Sequence, residues 1–175
     1  MTIGMRWVGL LLALVVAPLD AQQPAGCAHA KPDALVLYGT GFSERVFPIS
    51  ELEARVPRQV EAVGHDGSST VYQGVPLADL LRAAGVMPAE RLRGASLRQY
   101  VVAEASDGYR AVLALAEADS SYKATTVLVA YEANGAPLDA RVGPLQLIVE
   151  SDRQHGRWVR QLQCIRVAQD EPGQE

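Results

Sequence analysis

The segment Tyr131 to Val167 reads Tyr-Glu-Ala-Asn-Gly-Ala-Pro-Leu-Asp-Ala-Arg-Val-Gly-Pro-Leu-Gln-Leu-Ile-Val-Glu-Ser-Asp-Arg-Gln-His-Gly-Arg-Trp-Val-Arg-Gln-Leu-Gln-Cys-Ile-Arg-Val. Two turn signals stand in its first half, Asn134-Gly135 and Gly143-Pro144. Asn and Gly accept backbone angles that other residues avoid, and Pro fixes its own. An apolar strand follows from Leu145 to Val149. A polar, Gly-containing loop and a last strand ending at Val167 complete the segment. Short apolar runs separated by turns indicate β-structure rather than a helical array.

Working outward, the same reading extends upstream. Strands are expected at Ala34–Tyr38, Glu44–Phe47, Gln59–Val63, Gln99–Ala105, Arg110–Leu115 and Thr125–Tyr131, and Thr70-Val71-Tyr72 leads into Gln73-Gly74-Val75-Pro76-Leu77. Ser106-Asp107-Gly108-Tyr109 is a hairpin turn. A short helix is expected from Ser50, which is suited to cap it, with Glu51 and Glu53 near its positive end and Pro57 as its stop. A second places Leu77, Leu80, Leu81 and Ala84 at helical spacing, closed by Gly85. Ala114 to Asp119 suits a helical turn. The sum is an α+β, β-rich single domain with a few short helices.

The chain has 175 residues, 49% apolar and 21% charged, with a formal net charge of -4. That length allows one domain with a proper core or two very small ones. The charge argues against a basic surface for nucleic acid or anionic lipid. No Gly-x-Ser-x-Gly elbow, phosphate-binding glycine loop, His-Glu-x-x-His or Cys-x-x-Cys occurs.

At the N-terminus, Arg6 precedes an apolar run from Trp7 to Ala17 that is too short to cross a bilayer comfortably. Pro18 breaks the run and Ala21 supplies a small residue for cleavage. Residues 1–21 therefore read as a signal peptide, which places the mature protein in the periplasm or outside the cell with no membrane span. A membrane anchor, or lipidation at Cys27 after Ala25-Gly26, are the alternatives. Residues 22–33 read as a linker, 34–168 as the domain and 169–175 as a tail.

Export gives the two cysteines a meaning. In an oxidising compartment Cys27 and Cys164 are most simply a disulfide. A catalytic or metal-binding Cys164 is the alternative. Asp152-Arg153-Gln154-His155-Gly156-Arg157 is a polar loop between two apolar strands, and its guanidinium forks can meet a phosphate or carboxylate. A solvated hairpin tip is the other reading, and Arg141 carries the same ambiguity. Trp158 reads as core, with pocket lining as its alternative. His29 and His65 read as solvated.

Several of these stretches together resemble the molybdopterin-binding domain of the sulfite-oxidase-like oxidoreductases. They are Tyr72-Gln73-Gly74-Val75-Pro76-Leu77 with Leu80, Leu81 and Gly85, then Asp107-Gly108-Tyr109 and Leu128 to Tyr131. Asn134 to Leu138, Gly143-Pro144-Leu145, Gly156 to Arg160 and Ile165 follow. The resemblance covers about residues 34–168. It implies a molybdopterin cofactor whose molybdenum is held by one cysteine thiolate, a soft anionic ligand, shortly before the Gly-Val-Pro-Leu helix. The corresponding segment, Val60 to Gly67, has no cysteine. It also implies that the 152–157 loop borders the cofactor pocket, with Arg141, Arg153, His155 and Arg157 as the binding set and no catalytic or metal residue. The expectation is thus an exported, non-catalytic module without a cofactor, binding a small anionic ligand or a partner protein. The alternative is a molybdopterin-dependent oxidoreductase that works without a protein thiolate or with a partner subunit. A purely structural domain is the third reading.

Overall fold

The computed structural model describes residue 27 and residues 30–64, 67–88 and 90–170. The signal-peptide segment 1–21, most of the expected linker, His29, His65 and residues 171–175 lie outside the described residues.

Among the described residues, ten strands and two short helices follow in the order β1 (Ala34–Gly39), β2 (Arg45–Pro48), α1 (Ile49–Glu53), β3 (Arg58–Val63), β4 (Ser69–Pro76), α2 (Leu77–Ala83), β5 (Gln99–Ala105), β6 (Arg110–Ala114), β7 (Val127–Ala133), β8 (Ala136–Pro137), β9 (Gln146–Val149) and β10 (Leu162–Gln169). Single 3-10 turns span Gly94–Arg98, Leu115–Ala118 and His155–Arg157. The α+β, β-rich class expected from the sequence is what the chain adopts.

The strands form two sheets. The first runs β2-β1-β10-β5-β6 and the second β3-β4-β7-β8, with β9 also paired to β7. In the first sheet β1 lies parallel to β10, with Val36 opposite Cys164 and Val167 opposite Gly39. The other neighbours in both sheets are antiparallel. Gly39 must be glycine, since its φ is 153° and a Cβ there would strike the backbone carbonyl of Val167. Asn134 and Gly135 carry φ of 51° and 76°, the pair of positive angles that a two-residue hairpin turn requires between β7 and β8.

Alternation decides what each face buries. In β10, Ile165 and Val167 enter the main core while Cys164 points to the other face. Leu35 and Leu37 of β1, Val101 and Ala103 of β5, Val129 of β7, Leu147 and Ile148 of β9 and the α2 residues Leu77, Leu80 and Leu81 share one core. Both sheets and the helix therefore stand or fall together.

Three expectations change. Ser50 does not cap α1: the helix starts at Ile49, Pro48 takes the cap position, and Ser50 sits inside the first turn. The Ile49 N–H is met instead by the Asp33 carbonyl at 2.9 Å. The tail does not begin at 169, because β10 continues through Gln169 and the Asp170 N–H bonds the Arg98 carbonyl. Strand β7 starts two residues later than read, since the Thr126 N–H is taken by the Glu150 carboxylate at 2.6 Å and leaves the ladder.

Cys27 and Cys164 form a disulfide, with Cα atoms 5.7 Å apart and a sequence separation of 137. Cys164 is fully buried on the outer face of the first sheet, where Val36 and Tyr38 pack with it under Cys27 and Ala30. The bond pins the start of the described chain to the final strand.

Candidate functional site

The loop from Glu150 to Arg157 joins β9 to the approach of β10, and four side-chain contacts hold it. The Arg157 guanidinium grips Asp152 with two bonds, Nε to Oδ2 at 2.8 Å and Nη2 to Oδ1 at 2.6 Å. Its Nη1 reaches both carboxylate oxygens of Glu117 at 3.0 Å. The Tyr109 hydroxyl donates to the Gly156 carbonyl, and the Trp158 indole N–H donates to the Val149 carbonyl at 3.0 Å. Glu117 follows the first sheet and Asp152 the second, so Arg157 ties the two together.

This loop and β3 enclose a pocket of about 570 Å³, lined by Glu61, Glu150, Asp152, Arg153, His155 and Trp158 among others. A second pocket of about 340 Å³ lies against it, with Tyr72, Gln146 and Arg160 in its lining. The two share Gly64, His155 and Trp158, and so form one groove divided by a ring stack. His155 lies over Trp158 with centroids 3.9 Å apart and planes 24° from parallel. Tyr72 meets Trp158 edge-on at 5.8 Å. Trp158 is buried and lines the groove as well, so both readings of it hold at once.

The expected binding residues part company here. Arg153 and His155 come together at the larger pocket. Arg157 faces two carboxylates instead. Bonding to Asp152, opposed by burial and helped by Glu117, raises its pKa, so its charge is committed. Arg141 is absent from the groove lining among the described residues. Its side chain is 89% exposed and pairs with Asp139 at 3.0 Å. The backbone N–H and then the guanidinium of Arg141 hold the Asp139 carboxyl below the usual carboxylate range.

Charge in the larger pocket therefore runs opposite to what the Arg-rich loop suggests. Three carboxylates, Glu61, Glu150 and Asp152, line it against the single guanidinium of Arg153. Glu61 comes from β3, and Glu150 opens the loop just after β9, ahead of the stretch 152–157 read from the sequence. Gln146 was also missed, though a lone polar residue in the apolar run Leu145 to Val149 was a signal.

Neither cysteine lines the groove among the described residues. Glu61, Ala62, Val63 and Gly64 do, and they belong to the segment where the resemblance places a thiolate.

Comparison with known proteins agrees with this architecture. A search of curated proteins finds no match. Among solved structures, the sulfane dehydrogenase SoxCD from Paracoccus pantotrophus is similar in fold, with a TM-score of 0.59 and 19% sequence identity. The likeness covers 78% of this chain and 39% of that one, so the chain spans about two fifths of the SoxCD structure it matches. The family model for the oxidoreductase molybdopterin binding domain matches residues 49–175, which include every groove-lining residue named above. With the paired sheets, the α2 helix and that match in agreement, the chain belongs to the oxidoreductase molybdopterin-binding domain family.

Proposed function

We propose that this chain is an exported, non-catalytic binding module of the family, which takes a ligand or a partner at the groove divided by His155 and Trp158. One observation carries the reading. The chain has two cysteines and they are bonded to each other, with Cys164 fully buried. The donor set therefore offers no thiolate, and a molybdenum centre held through protein sulfur does not fit it.

Export is supported by the same bond, since disulfides persist in oxidising compartments, and by the leader-like residues 1–21. Arg153 and His155 are the groove residues carried forward from the sequence, and Arg157 serves to hold the loop that presents them. Family membership favours one rival, an oxidoreductase that keeps molybdopterin without a protein thiolate or with a partner subunit.

Metal content separates the two. Protein purified from its native compartment is expected to hold far less than one molybdenum per chain by plasma mass spectrometry, and to show no pterin fluorescence. Near-stoichiometric molybdenum with a pterin signal would replace the binding-module reading by the rival.

A further inference from the structure

Asn134 is the one asparagine in the chain, and Gly135 follows it. That pair is chemically labile. With no side chain on the glycine, its backbone nitrogen can approach and attack the asparagine Cγ. The new C–N bond closes a succinimide ring, the bond from Cγ to Nδ2 breaks, and ammonia leaves with the proton from the glycine nitrogen. Water then opens the ring at either carbonyl. One opening gives aspartate, the other isoaspartate, in which the main chain runs through the side-chain carbon. Asn134 and Gly135 are both exposed, so water reaches the pair.

The fold gives the asparagine side chain another partner. The Asn134 N–H donates to the Val71 carbonyl at 2.8 Å, and the Val71 N–H donates to Asn134 Oδ1 at 2.9 Å. Asn134 thus extends the pairing of β4 with β7 one step beyond Tyr72 and Ala133, with its own side chain as the acceptor. Strand alternation leaves the Val71 N–H for this use. Gly64 bonds Ser68 at the end of the β3–β4 pairing, so Thr70 and Tyr72 bond β3 while Val71 faces β7.

We propose that Asn134-Gly135 is a latent self-modification site, closed by the Val71 clasp and released when this end of the β4–β7 pair opens. In the closed turn the carboxamide is held toward β4, and cyclisation must first turn it onto the Gly135 nitrogen. Conversion then follows the open fraction of the turn, the limit that holds when opening and closing outpace a slow reaction. The products alter the groove, because Asn134 and Asp139 both line its smaller pocket. Aspartate adds a second carboxylate there. Isoaspartate adds a backbone atom to a two-residue hairpin turn, which that geometry does not accommodate. A chain that has once opened is thereby marked. No ligand takes part in the step, so it stands apart from the binding reading.

Incubation of the full-length protein at mildly alkaline pH, native and unfolded in guanidinium, tests this. Mass spectrometry of the peptide containing residue 134 follows the loss of asparagine and the appearance of both products. The unfolded chain is expected to convert at Asn134, and the native chain at least about tenfold more slowly. Val71→Pro deletes the N–H that Asn134 Oδ1 accepts and should speed native conversion severalfold. Should that variant not fold, the parent in urea below its unfolding midpoint supplies the same test, and conversion should rise with urea. Native conversion as fast as unfolded conversion overturns the clasp. An unfolded chain that keeps its asparagine overturns the site. A slow native rate that neither Val71→Pro nor urea raises overturns the link between opening and conversion.

Discussion

Replacing Cys27 and Cys164 together by alanine is expected to lower domain stability by about 4–5 kcal/mol, the size of the loop-closure entropy for so long a span. The separation of 137 residues makes nearly the whole described chain one loop, so the reduced unfolded ensemble gains most of its freedom at once. The packing consequence adds to this. Cys27 and Ala30 cover Val36 and Tyr38 on the outer face of the first sheet, and without the bond that cover is held only by weak contacts. Thermal unfolding of the double variant beside the parent measures the effect. A difference below about 1 kcal/mol would mean that the bond constrains little, against the chain-entropy account.

The second large effect is expected at Arg157. Alanine there leaves Glu117 and Asp152 partly buried without their shared cation, and the expected cost is about 2–3 kcal/mol. The side chains of Arg157, Glu117 and Asp152 are 32%, 27% and 13% exposed, which places the three between surface and core. Lysine should recover only part of the loss, because a single ammonium cannot make the two parallel bonds to Asp152 and also reach Glu117. Urea unfolding of the three forms measures it. If Arg157 instead served as an anion receptor, alanine would leave stability nearly unchanged and weaken anion binding.

The disulfide and Arg157 mark what the sequence could and could not convey. Strand β5 was read with its observed bounds, Gln99–Ala105, because alternation and a flanking hairpin turn are local signals. The Leu77–Ala83 helix and its Gly85 stop were legible for the same reason, and Gly85 takes a φ of 74°. The parallel pairing of β1 with β10 was not, since register between distant strands leaves no local mark. The site follows that division. Arg153 and Arg157 look alike in the loop, and what separates them is Glu117, forty positions earlier. The acids Glu61 and Glu150 carry no local mark of a pocket, and only the fold brings them to one. Cys27 and Cys164 were the reverse case: their pairing was readable because two cysteines allow only one intramolecular bond.

The groove's character follows from these placements. The loop arginines and Arg141 suggested an anion site, but packing uses Arg157 as a strut, exposes Arg141 against Asp139, and leaves Arg153 at a pocket that three carboxylates also line. What remains is a polar and aromatic groove.

Both thiols are committed to each other, which leaves no protein sulfur to hold a metal. Thiol titration of protein from its native compartment, under denaturing and non-reducing conditions, tests this directly. The expected result is no reactive thiol per chain. Two reactive thiols would contradict it, and would return Cys164 to the set of groups able to hold a metal.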